Sequence, residues 1–244
     1  MNTCLNKTRE KISHNSDRNS RCIPKLGGNL FSPRGLALGL LLLAAGAGWG
    51  QTIFTRTAVS GSWKDSNWTK VGSSTSNYPG ELETNDSAAI PSGYAVSLDV
   101  TPAKSIASLS CAGTINDSVV GTHSLTVSGS ATITGAIGTT IAIKSLSVGT
   151  SSSIGADVTT TGSQTYTGAV DLGADATLSG TMVSFGTTVD GGYALTVNGA
   201  TSFGGTASLD SLKATGTVTT GTSCTSITTS ALNGISIGGD LVLN

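Results

Sequence analysis

The residues that could support acid–base or nucleophilic chemistry are few after residue 50. This region contains one histidine, His123. Nucleophilic triads combine several side chains, and structural zinc sites need several His or Cys ligands. The sequence also lacks the phosphate-binding loop of nucleotide-binding proteins and the His-Glu-x-x-His pattern of zinc proteases. His123 is therefore predicted to be an ordinary turn or surface residue, and we expect no catalytic residue, bound metal or cofactor.

Acidic residues form two groups, which are Glu81, Glu83 and Asp86 in the first half and Asp171, Asp175 and Asp190 in the second. Polysaccharide-cleaving β-helices use carboxylates as paired acid and base, or to bind calcium. Such sets come from adjacent turns and are assisted by Lys or Arg. Asp171 and Asp175 instead flank one turn, and Lys213 is the only basic residue after them. We expect soluble corners, and a carbohydrate site near Asp171 and Asp175 stays open as the alternative.

Trp63 and Trp68 are candidate carbohydrate contacts, because a broad indole ring can stack on a sugar. Beside the start of a repeat fold, they are equally suited to covering its exposed first turn, since terminal repeats need a cap. We expect capping, with sugar contact as the alternative.

Thr-x-Thr segments begin at Thr132, Thr165 and Thr215. A flat array of threonines on the same face of every turn could bind ice. The spacings of 33 and 50 residues between these segments do not place them on one face of every turn, so the sequence does not predict such an array.

The elements that must position these side chains are short strands. Segments such as Tyr94–Leu98, Ser124–Val127 and Ser145–Val148 alternate aliphatic residues with Ser or Thr, which is the period of a half-buried strand. Gly, Asn, Asp or Ser separates most of them, as turns require. A disordered Ser/Thr/Gly tract would show no such period and few aliphatic residues.

A longer self-similarity has an offset of about 70 residues. Leu125, Val127 and Gly129 correspond in this alignment to Leu195, Val197 and Gly199. Within the unit, groups of strands recur roughly every 20 to 24 residues, which suits one turn of a solenoid. Stacked turns about 4.8 Å apart would pair each backbone edge and enclose a core of Val, Ile and Leu. A β-sandwich is the alternative fold, but it would not readily explain the self-similarity.

Cys111 and Cys224 are predicted to be two free thiols. They lie about five turns apart in such a solenoid, or roughly 24 Å. A disulfide requires Cα atoms within about 7 Å of each other.

Residues 61–98 carry a set of structural motifs, which are Gly61-Ser-Trp63, Trp68, Tyr78-Pro79-Gly80, Ile90-Pro91-Ser-Gly93 and Val96-Ser-Leu98-Asp99. This set resembles the opening of large secreted bacterial β-strand-repeat surface proteins, similar in style to filamentous haemagglutinin and autotransporter passengers. Residues 162–198 resemble their repeats. The resemblance implies a right-handed parallel β-helix that is exported and displayed, with adhesion as its role and no catalytic residue. Those proteins are longer, so we expect this chain to be a fragment truncated at its C-terminus.

The first fifty residues resemble a secretory signal. Arg34 precedes an apolar stretch of about 14 residues, Leu36–Trp49, which is shorter than the roughly 20 residues of a membrane-spanning helix. Small residues follow, so we expect cleavage near Ala47 or Gly50. The 34-residue polar segment before the apolar stretch is unusually long.

Charge distribution excludes one class of partner. Residues 51–244 contain 6 basic and 12 acidic residues, and the basic ones are scattered, which argues against nucleic-acid binding. We expect glycans or the surface of a host or neighbouring cell as partners, contact with a membrane only through the signal peptide during export, and a secreted or bacterial outer-surface location.

The sequence thus predicts three regions. Residues 1–50 are an extended signal peptide, residues 51–105 a cap with the first strands, and residues 106–244 an all-β solenoid with the 70-residue unit at 123–172 and 193–243. The predicted function is a non-enzymatic, adhesin-like structural protein whose Thr/Ser faces make weak multivalent contacts. A carbohydrate-binding or polysaccharide-cleaving β-helix is the alternative.

Overall fold

The computed structural model describes residues 51–101, 104–231 and 234–244, and every helix or strand within them is a β-strand. The signal peptide predicted for residues 1–50, with Ala47 and Gly50, lies outside the described residues. The strands are β1 (Ile53–Arg56), β2 (Trp68–Val71), β3 (Ser87–Ile90), β4 (Ala95–Leu98), β5 (Lys104–Ile106), β6 (Ser108–Cys111), β7 (Thr114–Asp117), β8 (Ser124–Val127), β9 (Ala131–Ile133), β10 (Ser145–Val148), β11 (Ser152–Ile154), β12 (Val158–Thr159), β13 (Ser163–Tyr166), β14 (Val170–Leu172), β15 (Ala176–Phe185), β16 (Val189–Asp190), β17 (Ala194–Phe203), β18 (Ala207–Leu209), β19 (Ser211–Ala214), β20 (Val218–Thr220), β21 (Ile227–Thr229), β22 (Ile235–Ile237) and β23 (Leu241–Val242).

The strands from β3 onward form a parallel β-solenoid of about eight turns, which confirms the predicted fold class. Each turn presents three faces. Face A contains β3, β6, β9, β11, β14, β16, β18 and β21. Face B contains β4, β7, β12, the first half of β15 and of β17, β19 and β22. Face C contains β5, β8, β10, β13, the second half of β15 and of β17, β20 and β23.

The length of a turn varies along the solenoid. The first strands of successive turns begin at Ser87, Ser108, Ala131, Ser152, Val170, Val189, Ala207 and Ile227, so that a turn has between 18 and 23 residues. The extra residues of the longer turns lie in corner loops, such as the one between β7 and β8. Strand register is therefore maintained although the period in the sequence is irregular.

Alternation along each strand produces the core. In β8, for example, Leu125 and Val127 are buried while Ser124 and Thr126 are half-buried on the outside. The inward positions of face C continue as a column of stacked side chains, which is Ile106, Val127, Val148, Tyr166, Phe185 and Phe203. A single turn could not bury these residues, so stacking of the turns supplies the hydrophobic stabilisation.

A polar group lies inside this core. Gln164 is fully buried and its Oε1 accepts a hydrogen bond from the hydroxyl of Tyr166 at 2.9 Å. Its Nε2 donates to the carbonyl oxygens of Val158 (3.0 Å) and Ser179 (2.9 Å), which belong to strands of face B. The amide thereby joins two faces and two successive turns. Because a buried polar group needs its partners, this arrangement favours one register of the turns.

A cap precedes the first turn. Strand β1 pairs in parallel with β3 on face A, and β2 pairs with β1 in the antiparallel direction. The segment Val59–Trp63 runs beside β4 on face B, where the carbonyls of Val59 and Gly61 accept hydrogen bonds from Ala95 and Ser97. The cap is thus an incomplete turn that ends in an antiparallel strand, which protects the sheet edge from further pairing.

The two halves of the 70-residue self-similarity occupy different faces. Leu125 lies in β8 on face C, whereas its counterpart Leu195 lies in β17 on face B. The offset covers three complete turns and two further sides. The similarity therefore reflects a strand pattern shared by all faces, not a repeat of whole turns.

Candidate functional site

Face C carries an unbroken row of hydroxyl groups on its outer surface, which we call the hydroxyl column. Its members are Ser105, Thr126, Ser147, Thr165, Ser184, Ser202 and Thr219, which are neighbours in register from turn to turn. All seven are half-buried, because each packs against the residues above and below. Neighbouring strands lie about 4.8 Å apart, so the column repeats at that interval over about 29 Å.

The surroundings of the hydroxyl column are uncharged. The segments of face C from β8 to β20 contain no acidic, basic or histidine residue. Beside the column, Ser124 and Ser145 are also in register, and the hydroxyl of Ser145 donates to that of Ser124 at 2.7 Å. Further along, Met182 and Ala200 take the same row. The face therefore offers donors and acceptors without a fixed charge.

The sequence analysis missed this column because it assumed a constant period. The hydroxyl positions recur at intervals of 17 to 21 residues, since turn length changes. The column also mixes Ser with Thr, so a search for Thr-x-Thr does not find it. Register between strands, which the sequence does not display, brings these residues together.

Trp63 and Trp68 are buried in the cap, which does not support their predicted role as carbohydrate contacts. Trp63 has no exposed surface and Trp68 is 8% exposed. The rings meet edge to face with centroids 5.4 Å apart. The indole N–H of Trp63 donates to the carbonyl of Pro79 (3.1 Å), and that of Trp68 donates to the carbonyl of Trp63 (2.9 Å). Neither ring has a face free to stack on a sugar.

Arg56 completes the cap from below Trp68. Its guanidinium lies 5.4 Å from the centre of the Trp68 ring and forms a bidentate pair with Asp65, with Nη2 to Oδ2 at 2.9 Å. Burial acts to raise the pKa of Asp65, but hydrogen bonds from Arg56 and Asn67 outweigh it and hold the pKa below its ordinary value. These contacts close the N-terminal end of the core and leave no basic group available to a ligand at Arg56.

His123 lies at a turn, as predicted, but it is buried and serves the corner loop between β7 and β8. Its Nδ1 is 2.5 Å from Oδ1 of Asp117, which has no exposed surface. Asp117 also accepts hydrogen bonds from the backbone amides of Val119, Thr122 and His123. Burial acts to raise the pKa of Asp117, but these hydrogen bonds lower it overall. The pair holds the loop in place, and Val119 and Val120 are exposed at its tip.

The carboxylates of the second half do not converge on one site. Asp171 and Asp190 are direct neighbours on face A and both are exposed, so their like charges repel. Asp175 lies at the next corner, where Oδ1 accepts the amide hydrogen of Ala194 in the following turn at 2.9 Å. Asp157 makes the equivalent contact with the amide of Thr177. Corner carboxylates thus link successive turns in addition to keeping the corners soluble.

The residues Gly234-Ile235-Ser236-Ile237-Gly238 match the spacing of a hydrolase nucleophile motif. That motif needs a strand-to-helix turn with a histidine nearby. Ser236 instead lies within strand β22 and pairs with Lys213 in the preceding turn. His123 belongs to the second turn, six turns away. The match is therefore one of letters only.

Both cysteines of the described region are free, as predicted. Cys111 is buried within the core, and burial raises the pKa of its thiol to about 12. Cys224 is half-buried near the last turn.

Two hollows lie on the surface of the described region. One, of about 280 Å³, runs along face A beside Gln51, Ser87 and Ser108, and the other, of about 320 Å³, lies at the last turn beside Cys224 and Leu241. No acidic or basic side chain lines either hollow. Over residues 51–101, 104–231 and 234–244, no cluster of three or more His, Cys, Asp or Glu residues is placed to hold a metal ion.

Comparisons with protein-family models, with curated proteins and with solved structures gave no match to the chain. In the part of the chain that the structure describes, no helix has the length and apolar character needed to cross a membrane. The candidate site therefore rests on geometry alone, and the hydroxyl column of face C is the most extensive regular surface feature of the solenoid.

Proposed function

We propose that this chain is a non-enzymatic structural rod, adhesin-like in its mode of action, whose face C makes weak contacts with neutral, hydroxyl-rich polymers such as glycans. The observation that supports this is the uncharged hydroxyl column over seven turns. Each hydroxyl both donates and accepts a hydrogen bond. A single contact of this kind is weak because water competes for it, so useful affinity requires many contacts at once.

The same proposal includes export. The apolar stretch at Leu36–Trp49 and the small residues after it support a secretory signal, and we propose that the solenoid acts outside the cytoplasm. Mass spectrometry of the secreted product tests this directly. A mature N-terminus after Ala47 or Gly50 is expected, and retention of residues 1–50 on a cell-associated product would contradict it.

Binding is tested with the chain displayed at high density on beads and offered to arrays of neutral and anionic polysaccharides. We expect the beads to bind neutral polysaccharides with an apparent affinity about 100-fold or more above that of the free chain. The variant with Thr126→Val, Thr165→Val and Thr219→Val removes three hydroxyls from the column and keeps the β-branched shape. It should lose most of this binding.

A matched control places the same three changes on face B, as Thr159→Val, Thr177→Val and Thr196→Val. These residues also point outward and are half-buried. The control should bind as the unchanged chain does. Equal loss in both triple variants, or no binding by the beads, would overturn the proposal.

The polysaccharide-cleaving alternative is tested in the same samples. Asp171 and Asp190 are adjacent, as a pair of glycosidase carboxylates would be, but they lie on an open face. We expect no new reducing ends after incubation with any polysaccharide of the array. Release of reducing ends that disappears in the variant with Asp171→Asn and Asp190→Asn would show an enzyme instead.

A further inference from the structure

Asp86 lies without exposed surface at the junction between the cap and the first turns. Its backbone carbonyl accepts the amide hydrogen of Ala107 at 2.7 Å, and its side-chain Oδ2 accepts that of Gly80 at 3.2 Å. Gly80 has φ of +73°, and a Cβ there would lie 2.6 Å from the carbonyl oxygen of Ser105, so only glycine fits this contact. Asp86 therefore ties the cap loop closely to the solenoid.

The other carboxyl oxygen of Asp86, Oδ1, has no hydrogen-bond partner although it is buried. Two buried hydroxyl residues of the cap loop, Ser74 and Ser76, lie beside the carboxyl group. Ser74 Oγ accepts the amide hydrogen of Ser76, and Ser76 Oγ accepts that of Leu82. A buried charged oxygen without a partner is unfavourable, whereas a protonated one can donate to a neighbouring hydroxyl oxygen.

The charges around Asp86 also oppose its ionisation. Glu83, three residues before it, contributes a like charge. Glu81 is occupied by the amide and side chain of Asn77. The ammonium group of Lys70, from β2, donates to the carbonyl oxygens of Ser74 (3.0 Å) and Ser76 (3.2 Å). The cation that the cap provides is thus held by backbone carbonyls.

These surroundings move the acid equilibrium of Asp86 in one direction. Burial raises the pKa of its carboxyl group above the ordinary value of 3.8, and the charge of Glu83 adds to this effect. The hydrogen bond from Gly80 and the hydroxyls of Ser76 and Ser74 oppose it without reversing it.

We propose that Asp86 is a protonation-dependent latch, which holds the cap closed on the first turns in acid and loosens it as the pH rises. The sign follows from linkage, because the closed cap prefers the protonated form. Its contribution is complete below pH 3.8, the ordinary value for an exposed Asp, and is lost as the pH rises through the pKa of the closed state.

Hydrogen exchange of the full chain, followed by mass spectrometry of peptides that cover residues 52–90, measures how often the cap opens between pH 4 and pH 8. After correction for intrinsic exchange rates, the opening equilibrium should rise with pH. The rise should be about tenfold for each unit that separates the Asp86 pKa values of the closed and open states. Peptides from β13 to β17 in the same digest report on the solenoid and should not change.

Three variants test the assignment to Asp86. Asp86→Asn mimics the protonated acid, so its cap should stay closed with no dependence on pH. Asp86→Ala loses the Gly80 contact and should open at every pH. Asp171→Asn, an exposed carboxylate on face A, is the matched control and should follow the unchanged chain. A flat profile in the unchanged chain, or opening of Asp86→Asn as frequent as that of Asp86→Ala, would overturn the proposal.

Discussion

Phe185 stacks on Phe203 in the next turn, with ring centroids 5.2 Å apart and ring planes inclined by 18°. Tyr166 extends the stack in the preceding turn at 5.7 Å from Phe185. The three rings occupy equivalent positions on face C, directly beneath the hydroxyl column. The core under the proposed binding face is therefore its bulkiest part, and it gives that face a rigid support.

The central ring of this stack should dominate local stability. Phe185→Ala leaves a cavity between two rings and should lower the free energy of unfolding by about 3–5 kcal/mol. Phe185→Leu keeps most of the volume and should cost much less. Urea unfolding followed by circular dichroism checks both variants. A loss below about 1 kcal/mol for Phe185→Ala would contradict the packing of the stack.

The Gln164–Tyr166 hydrogen bond should behave as a coupled pair. Tyr166→Phe leaves Gln164 Oε1 without its partner, and Gln164→Leu leaves the hydroxyl of Tyr166 unpaired, so each single variant should cost about 1–3 kcal/mol. The variant with both changes should cost clearly less than the sum of the two. Strict additivity in this double-mutant cycle would show that the two groups do not interact.

Asp117 should make stability depend on pH in the acid range. Its pKa is lowered in the folded chain, so its contribution is present above pH 3.8, the ordinary pKa value, and is lost as the pH falls through the folded pKa. Thermal melts between pH 2 and pH 6 should therefore show a loss of stability that is smaller in Asp117→Asn. His123→Ala retains the three backbone hydrogen bonds to Asp117, so it should show an intermediate dependence. Identical profiles for all three proteins would refute this role.

The two thiols of the described region should differ in reactivity. Cys111 is buried and its pKa is raised to about 12, so it carries almost no thiolate at pH 8. Cys224 is half-buried and should react with iodoacetamide first. Peptide mapping after timed alkylation measures both rates, and denaturant should remove the difference. Equal rates in the native chain would show that the core around Cys111 opens readily.

Local pattern was sufficient to predict the fold class. Alternation such as that of Ser124–Val127 predicts a strand with one buried side, and strands of three to four residues cannot form a core without stacking. The same reasoning predicted that Cys111 and Cys224 do not pair, because solenoid turns keep residues of distant turns apart. These conclusions need only the period of two and the shortness of the strands.

Tertiary structure alone decided which residues share a surface. Thr126 and Thr165 join the same column because corner loops absorb the differences in turn length, and no fixed spacing in the sequence reveals this. Trp63 is enclosed because the Pro79 carbonyl happens to reach its indole N–H, and Asp86 is sealed in because the cap loop folds over it. The sequence determined the strands and their stacking, since both follow from local alternation. Loop conformation and inter-turn register determined the hydroxyl column and the Asp86 junction, because contacts between residues far apart in the chain arise only when the turns are stacked.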